Sequence, residues 1–348
     1  MDTRLCFASD NASGVHPEIL AAITEANQGP ALAYGNDQYS GLVIKKMRQA
    51  FDAEAEILFT FGGTGANVIA LGSITRSHEA IFCSDCSHIW SDECAAPQKF
   101  IGGKIVPVKS VHGKISTQAI ADSLGPDRGV HHARPRVVSI TQPTELGTLY
   151  TLEEIQTLGE FCRDRDMLLH VDGARFANAA AAMNISLAAL SHQAGVDVLS
   201  FGGTKNGALG AEAVIFFNYE VAPAREFIRK QVTQLPSKMR FIAAQFDALF
   251  HEQLWLRNAR HANDMAKLLA TQCEIIGVNF LVPPEINALF PQLSVPVIKR
   301  LQKDCDFYIW DETQDDIQAV ARWMTSFNTT SEEVDRFAGL IKTAVGAG

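Results

Sequence analysis

Short apolar runs recur along the chain at 56–60, 80–84, 104–108, 136–141, 168–172, 197–200 and 213–217, each bounded by Gly, Asp, Ser or Pro. Runs this short and this continuously apolar predict strands buried on both faces of a sheet. Helical patterns fall between them at 64–73, 116–124, 152–166 and 175–183. The alternation predicts βαβ units and a mostly parallel sheet with helices on both sides. Beyond 217 the pattern changes. Long helices are expected over 223–235 and 238–269, with Pro236 as the break between them. Short strands are then expected at 278–282, 307–310 and 317–321. A last helix opens on Ser331 with Glu333 and Asp335 and runs to about 345. This divides the chain into an N-terminal segment plus large α/β domain, 1–245, and a smaller α+β domain, 246–348. The N-terminal segment, with a helix near 16–26, has no obvious strand partner; it would pack on the small domain or on another subunit.

The chain has 348 residues, 39 Asp+Glu against 30 Lys+Arg, and a formal net charge of −9. Negative charge argues against nucleic acid and against an anionic membrane surface as partners. No apolar run approaches the ~18 residues of a membrane span. The N-terminus has no apolar signal-peptide core, so a cytoplasmic protein is expected. Seven cysteines, an odd number, read as free thiols. Cys83-Ser-Asp-Cys86, followed by His88 and Cys94, has ligand types that suit zinc. It lacks a second matched pair, so no metal is expected, and a zinc-dependent interaction module stands only as the non-enzymatic alternative.

Four segments carry candidate chemistry. Phe61-Gly-Gly-Thr-Gly-Ala-Asn67 joins a strand to a helix. Glycines there let a ligand approach the backbone, and unpaired helix N–H groups suit an anion. The same residues equally suit a tight turn capped by Thr64 with no ligand. Leu168-Leu-His-Val-Asp172-Gly-Ala-Arg175 ends an apolar strand in an acid, where α/β sheets bind ligands. Such an Asp can hold a protonated ring nitrogen or simply cap the next helix. In Val198-Leu-Ser-Phe-Gly-Gly-Thr-Lys205-Asn-Gly207 a lysine follows a strand inside a Gly-rich turn. Burial and a nearby cation would make its amine nucleophilic; otherwise it is an exposed loop residue. His88 follows a strand and can stack on a ring or move a proton near neutral pH. A phosphate cradle, an acid at a strand end and a lysine one strand later are together what pyridoxal phosphate requires.

With these motifs together, the chain resembles the threonine aldolases, fold-type I pyridoxal-phosphate enzymes of the β-eliminating lyase group. It is more similar to the low-specificity L-threonine and phenylserine aldolases, through Gln142-Pro-Thr-Glu145 and Gly202-Gly-Thr-Lys-Asn-Gly207. The resemblance implies an aspartate aminotransferase-like large domain and retro-aldol cleavage of an L-3-hydroxy-α-amino acid to glycine and an aldehyde. β-Elimination and transamination are the alternatives on the same fold. It implies Gly63 and Thr64 at the cofactor phosphate, His88 on its ring, Asp172 at the ring nitrogen and Lys205 as the Schiff-base lysine. Ser9, Arg175 and Arg322 would hold the substrate carboxylate. Tyr34, in Tyr34-Gly-Asn-Asp37, resembles part of a loop that reaches a neighbouring subunit's site in the family. Lys238 and Arg240 match a basic segment that meets the phosphate across a homodimer or homotetramer, although Leu235-Pro-Ser237 replaces a Gly-rich stretch. Many relatives have a histidine near the position where this chain has Glu145, so the candidate bases are His88, Glu145 or a water that one of them orients.

Overall fold

The computed structural model describes residues 4–126, 129–312 and 318–346. In chain order the first elements are β1 (Leu5–Cys6), α1 (Pro17–Ala26), α2 (Gln38–Phe51), β2 (Glu56–Thr60), α3 (Gly63–Ile74), β3 (Glu79–Ser84), α4 (His88–Ser91), α5 (Ala96–Ile101) and β4 (Lys104–Val108). There follow α6 (Thr117–Leu124), β5 (Arg134–Thr141), α7 (Leu152–Arg163), β6 (Leu168–Gly173), α8 (Phe176–Met183), α9 (Leu187–Leu190), β7 (Val198–Gly202), β8 (Glu212–Phe216), α10 (Arg225–Gln231) and α11 (Arg240–Phe250). The C-terminal part has α12 (Leu254–Ile276), β9 (Asn279–Phe280), β10 (Ala288–Leu289), β11 (Pro291–Ser294), α13 (Val295–Leu301), β12 (Cys305–Asp306), β13 (Tyr308–Glu312), β14 (Gln318–Met324) and α14 (Ser331–Gly346).

All the strands expected before residue 217 are present, within two residues at each end. They form one sheet in the order β2-β8-β7-β6-β5-β3-β4. Only β8 runs antiparallel to its neighbours. Every residue of β3, β6, β7 and β8 is buried. Those runs read as continuously apolar because helices cover both faces. On one face α3 packs Ile69 and Leu71 with Ile81, Val137 and Val214. On the other, Phe51 of α2 and Phe246 of α11 meet Phe201 of β7, Phe51 edge-on with ring centroids 5.5 Å apart.

The second half departs from the sequence pattern. The helix expected over 223–235 is only α10, because Thr233 turns left-handed at φ 63°. The helix expected over 238–269 is cut at Glu252 and Gln253, with φ 45° and 55°. Two left-handed residues end the hydrogen-bond ladder and let α12 leave in a new direction. Leu254, Trp255 and Ala259 then pack with the large sheet, whereas Ala266, Leu269 and Cys273 pack in the small domain. The strand expected over 278–282 shrinks to β9, and the one over 307–310 is β13. Of the run 317–321, Ile317 lies outside the described residues and the rest extends into β14. β14 pairs antiparallel with β10, β11 and β13. The final helix opens on a reciprocal Thr330–Glu333 cap, with N–H to side-chain distances of 2.8 and 3.2 Å.

The N-terminal segment divides between the two halves. β1 adds in parallel to β12, and Phe7 stacks on Phe337 at 4.6 Å, so this part packs on the small domain. The following helix, α1, packs against α11. Among the described residues no helix is long and apolar enough to cross a membrane.

Candidate active site

The register of the large sheet sets the site. Asp172, at the carboxyl end of β6, lies opposite Thr141 of β5 and Ser200 of β7. Two residues earlier on the same face, His170 is sealed between the Ser139 and Ser200 hydroxyls at 2.9 and 3.1 Å. Burial pushes its imidazole down to about 4, so it is a neutral packing residue. Asp172 is oriented by two donors: the Ala174 N–H reaches Oδ1 at 3.1 Å and the Asn67 amide reaches Oδ2 at 2.8 Å.

Lys205 sits on a single 3₁₀ turn, Thr204–Asn206, directly after β7. The turn is clamped by Asn206 donating to the Trp255 carbonyl and Asn258 donating to the Asn206 carbonyl, each 2.9 Å. Gly202 crosses the β6 exit so closely that a Cβ there would stand 2.3 Å from the Ala174 carbonyl oxygen. The adjacent Arg175 guanidinium, helped by burial, lowers the Lys205 pKa. Both causes favour the neutral, nucleophilic amine. Arg175 is itself fixed by a two-point ion pair with Asp10, at 2.6 and 2.9 Å. Burial pushes Asp10 up, but Arg175 outweighs it and the net direction is down.

At Gly63-Thr64 the structure corrects one expectation. Thr64 is not a cap; Gly62 occupies the N-cap, and no side chain caps the helix. The first N–H groups of the 12-residue α3 are therefore available to an anion. A Cβ on Gly65 would meet the Gln234 side chain at 2.3 Å, and Gln234 in turn accepts the Phe61 N–H.

His88 opens α4 and is half-buried; its Nδ1 lies 2.9 Å from Glu93 Oε1. The Glu93 hydrogen bond, against opposing burial, raises the His88 pKa. Glu145 projects from a loop tied at its base by Gln142 and Tyr150, which exchange two hydrogen bonds of 3.0 Å. Its Oε1 accepts from the His88 N–H at 2.8 Å and from the Thr141 hydroxyl at 3.0 Å. Its Oε2 is buried without a partner. Burial, reinforced by Asp172, pushes this carboxyl up to about 7. Gly63, Thr64, His88, Glu145, Asp172, Arg175 and Lys205 all line one cavity.

The remaining expected site residues lie outside that lining. Ser9 caps a short turn through the Asn11 N–H. Arg322 lies over the Tyr308 and Trp310 rings at 5.3 and 5.6 Å, with its Nε buried and unpartnered. Burial and then Arg175 lower its pKa. Tyr34 is exposed, its N–H bonded to the Ser237 carbonyl at 2.9 Å. Arg240 donates to the Gly29 carbonyl at 2.8 Å. The loop of Tyr34 and the segment of Lys238 and Arg240 thus form one continuous surface. Sequence reasoning assigned no role to Asn67, Glu93 or Asp10. Asn67 stood inside the Gly-rich motif, but Asp10 meets Arg175 from 165 positions away. All seven cysteines are free, and Cys83 is buried. Among the described residues no group of three His, Cys, Asp or Glu side chains could hold a metal ion.

The sheet order, the acid at the end of β6 and the lysine after β7 define the fold-type I pyridoxal-phosphate class. Comparison with known proteins agrees. Residues 7–295 match the family described as beta-eliminating lyase. The low specificity L-threonine aldolase of Pseudomonas aeruginosa is 41% identical over 98% of both chains, and that of a Pseudomonas species is 39% identical over the same shares. A threonine aldolase structure from Leishmania major superposes with a TM-score of 0.94 at 29% identity, covering 98% of this chain and 99% of that one. Serine palmitoyltransferase of Sphingomonas wittichii shares the fold, with a TM-score of 0.73 at 14% identity over 99% and 88% of the two chains. The chain belongs to the beta-eliminating lyase family, and within it to the low-specificity L-threonine aldolases.

Proposed function

We propose that this protein cleaves L-3-hydroxy-α-amino acids, such as L-threonine, L-allo-threonine and L-phenylserine, to glycine and an aldehyde with pyridoxal 5′-phosphate. The observation that carries this reading is the convergence of Lys205, Asp172, His88 and the open end of α3 on one cavity. Each fits a different part of that cofactor. The uncapped N–H groups at Gly63 and Thr64 suit its phosphate, and Asp172 suits its ring nitrogen. His88 suits a ring face, and the depressed Lys205 amine suits its aldehyde carbon. When bound, the cofactor supplies a sink for the electron pair released at Cα.

The chain's own residues do the rest. Arg175 has Nε and Nη2 committed to Asp10, which leaves Nη1 for a substrate carboxylate. The unpartnered Nε of Arg322 is a second donor, and Ser9 adjoins the Asp10 that holds Arg175. Two groups in the cavity lining can take the β-hydroxyl proton, His88 and Glu145. As that proton leaves, the O–H pair becomes the carbonyl of the aldehyde and the Cα–Cβ bond breaks. A proton returned to Cα completes glycine. We further propose a homodimer or homotetramer in which Tyr34, Lys238 and Arg240 serve a neighbouring site, since none of them lines the cavity of its own chain. Seven free thiols suit the reducing cytoplasm.

The test is glycine released from L-threonine, L-allo-threonine and L-phenylserine by cofactor-loaded protein. Glycine from any of them supports the reading, and the ratio ranks side chain and stereochemistry. No glycine from all three, with cofactor bound, moves the reaction to elimination or transamination.

A further inference from the structure

Glu93 is a carboxylate with no exposed side-chain surface, 5 positions after His88 and across the turn that ends α4. Its Oε1 is shared by two donors, His88 Nδ1 at 2.9 Å and Asn67 Nδ2 at 2.8 Å. The second hydrogen of the same Asn67 amide goes to Asp172 Oδ2, also at 2.8 Å. Both Asn67 contacts are carboxylate oxygens, so the amide nitrogen must point at them and the amide orientation is fixed. One amide therefore ties the acid of β6 to the acid behind His88. Glu93 Oε2 and Asn67 Oδ1 are buried without partners, and a purely space-filling side chain would spare the fold that cost.

We propose that Glu93 is a positioning residue for the cleavage: it holds His88 as the Nδ1–H tautomer, so that Nε2 carries the lone pair, and Asn67 locks it to Asp172. The Glu93 oxygen that already accepts from Asn67 accepts from Nδ1 as well, so the neutral imidazole keeps its hydrogen there and is basic at Nε2. When Nε2 takes the substrate hydroxyl proton, the new imidazolium sits against the Glu93 carboxylate, which stabilises its charge. The proton moves from the hydroxyl oxygen to Nε2, Nδ1–H stays where it was, and Glu93 itself is not protonated. Other charged groups around His88 are Asp172, which acts in the same direction as Glu93, and Lys205, which opposes it. Glu145 meets only the backbone N–H of His88, and Arg175 lines the same cavity. Glu93 is thus the charged group that addresses a ring nitrogen directly. The inference rests on the aldolase reading for its consequence but not for its geometry.

The experiment uses cofactor-loaded protein labelled with ¹⁵N-histidine, with the His88 signals assigned by their loss in His88→Asn. Imidazole ¹⁵N shifts report both tautomer and titration midpoint. In the wild type, neutral His88 is expected as Nδ1–H. In Glu93→Gln the midpoint should fall and the Nε2–H tautomer should appear. The acid limb of kcat/KM should move to lower pH, with a loss of at least about tenfold, up to the ~10²–10⁴ that a general base supplies. Glu93→Asp keeps the charge and should keep the tautomer. Wild-type His88 found as Nε2–H overturns the proposal without any variant, should Glu93→Gln not fold. So does a Glu93→Gln protein whose His88 midpoint and pH profile match the wild type. If the wild type releases no glycine, the aldolase reading fails, while the ¹⁵N data still decide the role of Glu93.

Discussion

Replacing Glu145 by Gln isolates the energetic cost of a buried acid beside the reacting groups. The carboxyl moves from an ordinary 4.5 to about 7, chiefly by burial and then by repulsion from Asp172. At about 1.4 kcal/mol for each tenfold change in proton affinity, the full effect is about 3 kcal/mol. Glu145 holds its proton more tightly in the fold than in the unfolded chain. Its contribution to stability is therefore fully present below pH 4.5 and is lost as pH rises through 7. Gln keeps the acceptor for the His88 N–H and the Thr141 hydroxyl but cannot ionise. Its amide N–H₂ has no partner at the Oε2 position, which costs about 1–3 kcal/mol at every pH alike. The diagnostic quantity is therefore the change in the variant-minus-wild-type difference. Between pH 5 and pH 8 that difference should shift by about 2–3 kcal/mol in favour of Glu145→Gln. Glu212, pushed by burial to about 7 as well, titrates equally in both proteins and cancels. The assay is denaturant unfolding of cofactor-free protein at a series of pH values, so that no cofactor proton enters the balance. Parallel stability curves for the two proteins from pH 5 to pH 8 would refute the reasoning.

Three further substitutions test other parts of the site. Lys205→Ala removes the amine that would hold the cofactor, so the absorbance of covalently joined cofactor should disappear; an unchanged spectrum counts against Lys205. His88→Phe keeps a ring in place but no base, and turnover of whichever substrate the wild type cleaves should fall by about 10²–10⁴; a loss under about tenfold removes His88 from that role. Gly202→Ala drives a Cβ to 2.3 Å from the Ala174 carbonyl oxygen, which the backbone can relieve only by shifting. It should cost about 1–3 kcal/mol in denaturant unfolding and weaken retention of cofactor on gel filtration. If neither measure changes, the close crossing after β6 and β7 does not set the place of Lys205.

Much of the large domain was legible because its strands are buried on both faces. β2 and β4 have the extents expected from apolar runs alone, and α3, α6 and α8 agree to within a residue at each end. Such a run leaves no other way to satisfy both its backbone and its side chains. The C-terminal half was less legible. Its strands are short, and β10 and β11 show no alternation long enough to detect. The break after α11 falls on Glu252 and Gln253, residues with no intrinsic preference for a left-handed turn, so only packing imposes it. α2 was missed although Asp37 caps it at 2.8 Å through the Ser40 N–H. Its apolar face, Val43, Met47 and Phe51, carries the i, i+4 spacing that could have revealed it.

The sequence by itself determined the parallel sheet, the Gly-rich turn, the acid at the end of β6 and the lysine after β7. Each is a local consequence of strand burial or turn chemistry, carried by neighbours in the chain. Only the tertiary structure decided what surrounds them. Asp10 reaches Arg175, Asn67 reaches Asp172 and Glu93 together, and Glu145 arrives under the His88 backbone from a loop 57 positions away. Partners so far apart leave no periodicity for a sequence to display. Their protonation is set by burial and charge over a few ångströms, quantities that exist only once the chain has folded.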